Sequence, residues 1–304
     1  MCVNKVREVF KNKDYVLYDQ SLKDYTTFGI GGKVLAVCLP TNQNQFIEAV
    51  KLCRNNNFRF QVLGNGSNIL ASSENSKRVI ICTKKLNNQI ELHKDKLYVS
   101  AGVTLAQLIL WCAERGICGL ESLYGIPATV GGAIMMNAGA FGTQVFDKLI
   151  EIKVFDGKTI YDINAQSIGY SHHYTDLLKS SLIVLGAYLT FDRLAPSVIK
   201  SKIKEVTKLR LEKQPTGKSA GCVFRPIEDI PAGKIIEDAG LKGTVVGGAV
   251  VSSKHANFII NIKDATSKDV KTLIKHVQSV VKDKTGYVLK REIEYLGDRD
   301  EYYR

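Results

Sequence analysis

Between Gly119 and Gly142 the chain reads GLESLYGIPATVGGAIMMNAGAFG, six glycines among small apolar residues with one proline, Pro127, and a single charge, Glu121. Glycine carries no side chain to hold a neighbour away, so this backbone can come very close to a partner. A stretch so poor in charge should be buried or covered. A tightly packed core turn would account for one Gly-Gly pair, but glycines spread over the whole segment favour a flat or anionic ligand lying against it. A second glycine-rich turn, Gly64-Asn65-Gly66-Ser67-Asn68, closes the short apolar run Phe60–Leu63. Alternating Gly, Asn and Ser after a strand can turn successive N–H groups inward as a nest for phosphate; an ordinary Asn-Gly turn is the plainer reading. Neither segment is the dinucleotide fingerprint, which needs GxGxxG opening a helix and an acidic residue about 20 positions later.

The rest of the chain bounds what the ligand can be. At 304 residues it exceeds the usual single domain, so two or three domains are expected. A net charge of +12 is consistent with steering toward an anionic substrate, while no aromatic-and-basic platform or zinc-finger spacing points to nucleic acid. The seven cysteines include Cys2, Cys38, Cys53, Cys82, Cys112, Cys118 and Cys222. They form no CxxC pair and most sit in apolar runs, the pattern of reduced thiols. No metal site is expected. The first residues carry no apolar leader and no apolar run approaches about 18 residues, so a cytoplasmic protein without membrane attachment is expected.

Periodicity places a helix at Gln43–Asn55 (Phe46, Ala49, Val50, Cys53 on one face) and strands at Val34–Leu39, Phe60–Leu63 and Val79–Thr83. A hairpin around Lys94–Lys96 follows, then a helix that opens on the capping box Thr104–Gln107 and stops at Gly116. Leu149–Phe155 and Thr159–Ile163 flank Asp156-Gly157 as a second hairpin, and Ser181–Phe191 reads as a strand. Val198–Leu211 is a lysine-rich helix; short elements follow at Ile235–Ala239 and Phe258–Asn261, and Thr266 caps a helix lined by Val270, Leu273, Ile274, Val277 and Val281. The fold class is α+β in three parts: 1–83, 84–195 and 196–304.

Taken in order, TTFGIGG, LGNGSNIL, the Gly119–Gly142 stretch, SAGCVF, PAGKIIEDAGLKG and SSKHANFIIN give the chain a resemblance to the UDP-N-acetylenolpyruvoylglucosamine reductase family, over about Tyr25 to Gly297 and in its shorter form. The resemblance implies FAD held between the first two parts, in the fold of the vanillyl-alcohol oxidase and p-cresol methylhydroxylase flavoproteins. It also implies a C-terminal α+β domain for the UDP-sugar. NADPH would reduce the flavin, and UDP-N-acetylglucosamine enolpyruvate would then be reduced to UDP-N-acetylmuramate for peptidoglycan. Implied FAD contacts are Thr27, Gly29 and Gly31; Gly64, Asn65, Gly66, Ser67 and Asn68; Gly125, Ile126, Pro127, Thr129, Val130, Gly131 and Gly132; and Asn137, Gly139 and Ala140.

The implied catalytic groups are Cys222, at the family's serine position as proton donor, and Glu292, as its glutamate near the C-terminus. A thiol is a stronger acid than a serine hydroxyl, with a reference pKa of about 8.5, so donation is chemically reasonable. The family's Gly-Tyr-Arg is Gly169-Tyr170-Ser171 here, so the expected arginine is absent. His172, His173 or Arg225 could supply that charge, or His172 and His173 could be plain surface residues. Tyr170, Arg210, Lys234 and Lys254 are the candidate substrate contacts, though each lysine and arginine could equally be a solvated charge. Two other readings stay open at this level: a flavin-binding paralogue with impaired turnover, and a related FAD-dependent oxidase.

Overall fold

The computed structural model describes residues 3–86 and 89–297; Cys2 lies outside them. The helices are α1 (Val3–Val9), α2 (Gln43–Asn55), α3 (Leu105–Glu114), α4 (Val130–Met135), α5 (Pro196–Lys213), α6 (Ala232–Asp238) and α7 (Ser267–Thr285). Of the strands, β1 is Ala36–Cys38, β2 Phe60–Leu63, β3 Ile69–Ala71, β4 Val79–Cys82, β5 Ile90–His93 and β6 Lys96–Ser100. Further on are β7 (Leu149–Phe155), β8 (Ile160–Asn164), β9 (Ile183–Leu189), β10 (Ala249–Val251), β11 (Ile259–Asn261) and β12 (Glu294–Leu296). The expected mixture of helix and strand is present, and α2 and α3 begin where capping chemistry puts them. The Asn42 side chain accepts from Gln45 N at 3.0 Å, and Thr104 and Gln107 form the reciprocal capping box.

The chain divides into two compact units, along a different line from the three parts expected. One comprises residues 3–17, 36–65 and 79–210; the other comprises 18–35, 66–78 and 211–297. The reason is pairing. β3 lies parallel to β12, Ile69 opposite Glu294, and Ser73 and Ser267 exchange bonds, each backbone N–H donating to the other's hydroxyl at 3.0 and 2.8 Å. Residues 18–35 and 66–78 therefore belong with the last third of the chain.

The first unit holds two sheets. β1 and β2 flank β4 in parallel, and Val16–Leu17 adds an antiparallel edge. β4 (Val-Ile-Ile-Cys) is buried throughout, as expected of a parallel strand covered on both faces. The second sheet is antiparallel in the order β8-β7-β9-β6-β5. Leu105, Leu108, Ile109 and Cys112 of α3, and Val130 and Ile134 of α4, share one core with Val99, Ile152, Val154 and Ala187 of that sheet. In the second unit α6 and α7 share a core with Ala249 and Val251 of β10 and with Phe28, Val223, Phe224 and Ile293. Among the described residues no cysteine is in a disulfide, and burial pushes the Cys53 and Cys112 thiols up to about 12. None of the described helices is long and apolar enough to cross a membrane.

The start of α7 depends on one reciprocal pair: Thr266 Oγ1 accepts from Asp269 N at 3.1 Å, and the Asp269 carboxylate accepts from Thr266 N at 2.9 Å. Thr266→Ala removes an N-cap and is expected to cost about 1 kcal/mol, read as a lower denaturant midpoint with α7 still present by circular dichroism.

Candidate active site

In the first unit the Gly119–Gly142 stretch is built around protein contacts as much as around open surface. A Cβ on Gly125 (φ +91°) would lie 2.7 Å from Cδ of Arg210, and one on Gly131 would lie 2.8 Å from Cβ of Ala101. At Gly64 a Cβ would collide with Oγ1 of Thr129. These glycines let neighbours through. By contrast a Cβ on Gly142 meets nothing within 4 Å, and one on Gly132 meets only Thr129 Oγ1, at 3.4 Å. Gly125, Pro127, Phe141 and Gly142 are exposed, and the other residues of the stretch are buried or half-buried.

The N-terminal donors of α4 are already used. Val130 N donates to Val103 O (2.7 Å), Gly131 N to Ala101 O (2.9 Å) and Gly132 N to Thr129 Oγ1 (3.3 Å). The other glycine turn is different. Among the described residues no acceptor takes the N–H groups of Asn65, Gly66, Ser67 or Asn68, and Gly66 sits at φ +63°. Four successive unsatisfied donors on a partly exposed turn fit a pyrophosphate. The Asn65 amide donates to Pro127 O at 2.7 Å, tying the turn to the glycine stretch.

Asn137 does not face outward. It is fully buried, at φ +42°, and its amide donates to Gln144 Oε1 (2.9 Å) and Ser171 O (3.0 Å) while accepting from Phe146 N (3.3 Å). It thereby braces the hairpin in which Tyr170 pairs with Thr175 and Ser171 with Tyr174. His172 and His173 form the tip, their rings stacked at 4.0 Å, and His173 Nε2 donates to Gly139 O at 3.3 Å. Tyr170 is 49 % exposed with its ring against Phe146. Arg210 donates from Nε to Tyr124 O (2.7 Å) and from Nη2 to Ser122 O (3.2 Å), and its guanidinium lies over Phe141.

In the second unit Cys222 and Glu292 lie on neighbouring antiparallel segments. Glu292 N donates to Val223 O (2.8 Å), Arg225 N donates to Lys290 O (2.9 Å), and Phe224 opposes Arg291. Glu292 is buried and Cys222 half-buried. Asn68 donates to Glu292 O at 3.4 Å, and Glu294 N donates to Asn68 O at 2.8 Å, so one end of the phosphate turn is anchored beside Glu292. Thr27 Oγ1 donates to Ser219 O (2.7 Å), Gly29 clears the Lys218 side chain, and Gly31 clears Leu22. Of the candidate substrate lysines, Lys234 is exposed and paired with Asp238 at 2.7 Å. Lys254 donates to Leu211 O near the end of α5.

Two family models match the chain: FAD binding domain over residues 34–159, and UDP-N-acetylenolpyruvoylglucosamine reductase, C-terminal domain, over residues 212–296. The reductase of Caldanaerobacter subterraneus is 37% identical over 98% of this chain and 98% of its own. That of Fusobacterium nucleatum is 34% identical over 91% and 98%. The crystal structure of the Thermus caldophilus UDP-N-acetylenolpyruvylglucosamine reductase superposes with a TM-score of 0.77 at 33% identity, covering 92% of this chain and 98% of that one. The chain belongs to the UDP-N-acetylenolpyruvoylglucosamine reductase family. With the family come an FAD-binding domain and a C-terminal reductase domain, in a chain of mixed helix and strand.

Sequence reasoning named Asn137 only as a flavin contact and did not single out Asn257, whose carbonyl and side chain hold the backbone after Cys222; its place in HANF, directly before the apolar run Phe258–Ile260, is the available signal.

Two predictions follow from these contacts. Gly131→Ala forces a methyl onto Ala101, and overpacking of this kind costs about 1–3 kcal/mol; the loss should appear as a lower melting temperature. His255 is held below the usual histidine range, first by burial and then by Lys242, with Glu237 opposing. The unfolded chain then takes up that proton at higher pH than the folded one, so stability should fall as pH drops from about 7 through 6.5. A His255→Gln variant should show a flatter melting temperature across that window.

Proposed function

We propose that this chain is the NADPH-dependent, FAD-containing reductase that converts UDP-N-acetylglucosamine enolpyruvate to UDP-N-acetylmuramate, a peptidoglycan precursor. Likeness to reductases 37% and 34% identical over nearly their full length supports the activity. The juxtaposition of Cys222 and Glu292 across the Val223 backbone carries the assignment of roles. The free thiols and the nucleotide-sugar substrate support a cytoplasmic location. Residues 1–83 and 84–195 are read as the flavin-binding parts and 196–304 as the UDP-sugar-binding part.

When bound, FAD accepts hydride from NADPH and supplies it to the methylene carbon of the enol ether. Everything else is work for side chains and backbone. The N–H groups of Asn65, Gly66, Ser67 and Asn68 would hold the pyrophosphate of the cofactor, and the family resemblance would set Thr27, Gly29, Gly31 and residues of Gly125–Ala140 against the rest of it. Hydride addition leaves negative charge on the carbon next to the carboxylate, and that carbon must take a proton. Cys222 donates it from Sγ, a carbon–hydrogen bond forming as the sulfur–hydrogen bond breaks and the thiolate remains to be reprotonated from water. Glu292 polarises the substrate carboxylate. Tyr170, Arg210, Lys234 and Lys254 are the groups read as holding the UDP-sugar. Arg210 is already fixed by two carbonyls, while Lys234 must exchange Asp238 for the ligand.

Ser171 leaves the polarising cation of the family pattern unassigned, and a preorganised charge of that kind is worth about 3–4 kcal/mol. Turnover below that of relatives carrying the arginine is the expected consequence.

The test separates the two halves of the reaction. Under anaerobic conditions NADPH should bleach the yellow protein, and the enolpyruvyl sugar should restore the colour. Cys222→Ala should bleach at the normal rate but recover about 100-fold more slowly or worse, general acid catalysis contributing about 10²–10⁴-fold. Unchanged recovery would remove Cys222 as donor, and bleaching without recovery in the unaltered protein would show a flavoprotein that does not turn over this substrate.

A further inference from the structure

The segment from Cys222 to Arg225 runs between two others, and each holds it differently. Toward Lys290–Glu292 the bonds are backbone to backbone, as described. Toward the turn before β11 they come from one residue. Val223 N donates to Asn257 O at 2.8 Å. Phe224 N then donates to Asn257 Oδ1 at 2.9 Å, and Asn257 Nδ2 donates to Phe224 O at 2.8 Å. A side-chain amide thus takes both polar groups of one strand residue, the place that a neighbouring peptide would fill.

The backbone at 257 cannot do this itself. Asn257 N is engaged with Nδ1 of His255 at 3.3 Å, and Phe258 N closes the turn onto His255 O at 2.9 Å. Asn257 is only 6 % exposed, and its carbonyl and side-chain amide together make three bonds, all to the two residues after Cys222. Val223 is also the residue whose carbonyl receives Glu292 N. The same short stretch of backbone therefore sets the height of both Cys222 and Glu292, and Asn257 fixes that stretch.

We infer that Asn257 is a positioning residue for the protonation step: by clamping the Val223–Phe224 backbone it keeps Cys222 and Glu292 in one register. The inference rests on the reading of Cys222 as proton donor. A core amide serving stability alone would weaken the whole enzyme evenly, whereas a positioning amide affects only the half-reaction that uses Cys222. A misplacement on the order of 1 Å can cost about 100-fold in rate.

The experiment compares Asn257→Asp and Asn257→Ala with the unaltered holoenzyme. Asp keeps the acceptor for Phe224 N–H and loses the donor to Phe224 O; Ala loses both. FAD content and bleaching by NADPH should stay within about twofold of the unaltered enzyme. Recovery with UDP-N-acetylglucosamine enolpyruvate should slow by about 10- to 100-fold, Ala more than Asp. The pH profile of recovery in the Asp variant should shift in the limb that Cys222→Ala abolishes. Recovery within about twofold of normal in the Asp variant overturns the inference, as does a parallel fall of FAD content and both half-reactions. Should Ala fail to fold, the Asp variant decides. If Cys222→Ala itself recovers normally, the donor reading falls and the inference falls with it. A crippled Cys222→Ala beside a normal Asn257→Asp sinks the inference alone.

Discussion

Glycine-rich segments carry a full complement of backbone N–H and C=O groups but form too little regular structure to pair them, and buried groups left unpaired are costly. This chain meets that constraint with a few asparagine and threonine side chains. Thr129 takes Gly132 N, Asn137 takes Phe146 N and gives to Ser171 O, and Asn257 serves Phe224 twice. Asn261 donates to Phe28 O at 3.0 Å while accepting from Ala265 N at 2.9 Å. Each short polar side chain stands where a helix or sheet would otherwise supply the partner. The irregular segments that carry the chemistry are in this way as fixed as the strands beside them.

One turn stands outside this pattern. The first turn of α4 is satisfied internally, whereas among the described residues no acceptor takes the N–H groups of Asn65–Asn68, a division between filled and open backbone. It also separates glycines that look alike in sequence: Gly64, Gly125 and Gly131 make room for Thr129, Arg210 and Ala101, while Gly132 and Gly142 leave backbone open.

What was legible in the sequence was local. α2 and α3 follow from apolar spacing and from Asn42 and Thr104, signals confined to one turn of helix. The hairpin of β7 and β8 follows from Asp156-Gly157 between apolar runs, and Asp156 does hold it, accepting from Lys158 N and Thr159 N at 2.7 and 2.8 Å. What was not legible depends on residues far apart in the chain. Nothing near Ile69 announces that β3 pairs with β12, the pairing that joins 66–78 to the last third of the chain. The motifs likewise marked Asn137 as a ligand contact, when its left-handed backbone and three internal bonds make it the support of the hairpin that bears Ser171.

That support sharpens the question Ser171 poses. The hairpin backbone is held by Asn137 on one side and by Thr175 Oγ1 donating to Met135 O at 2.7 Å on the other. His173 adopts φ +50° to close a two-residue turn, a conformation that costs a non-glycine residue energy and persists only where the surroundings enforce it. The scaffold is therefore specified in detail although the guanidinium is absent from position 171. An imidazole differs from a guanidinium in kind, since it is charged only below its pKa and cannot grip a carboxylate with a planar fork of donors. An arginine would have kept its charge throughout; the chain retains the backbone frame of the hairpin and changes what position 171 presents.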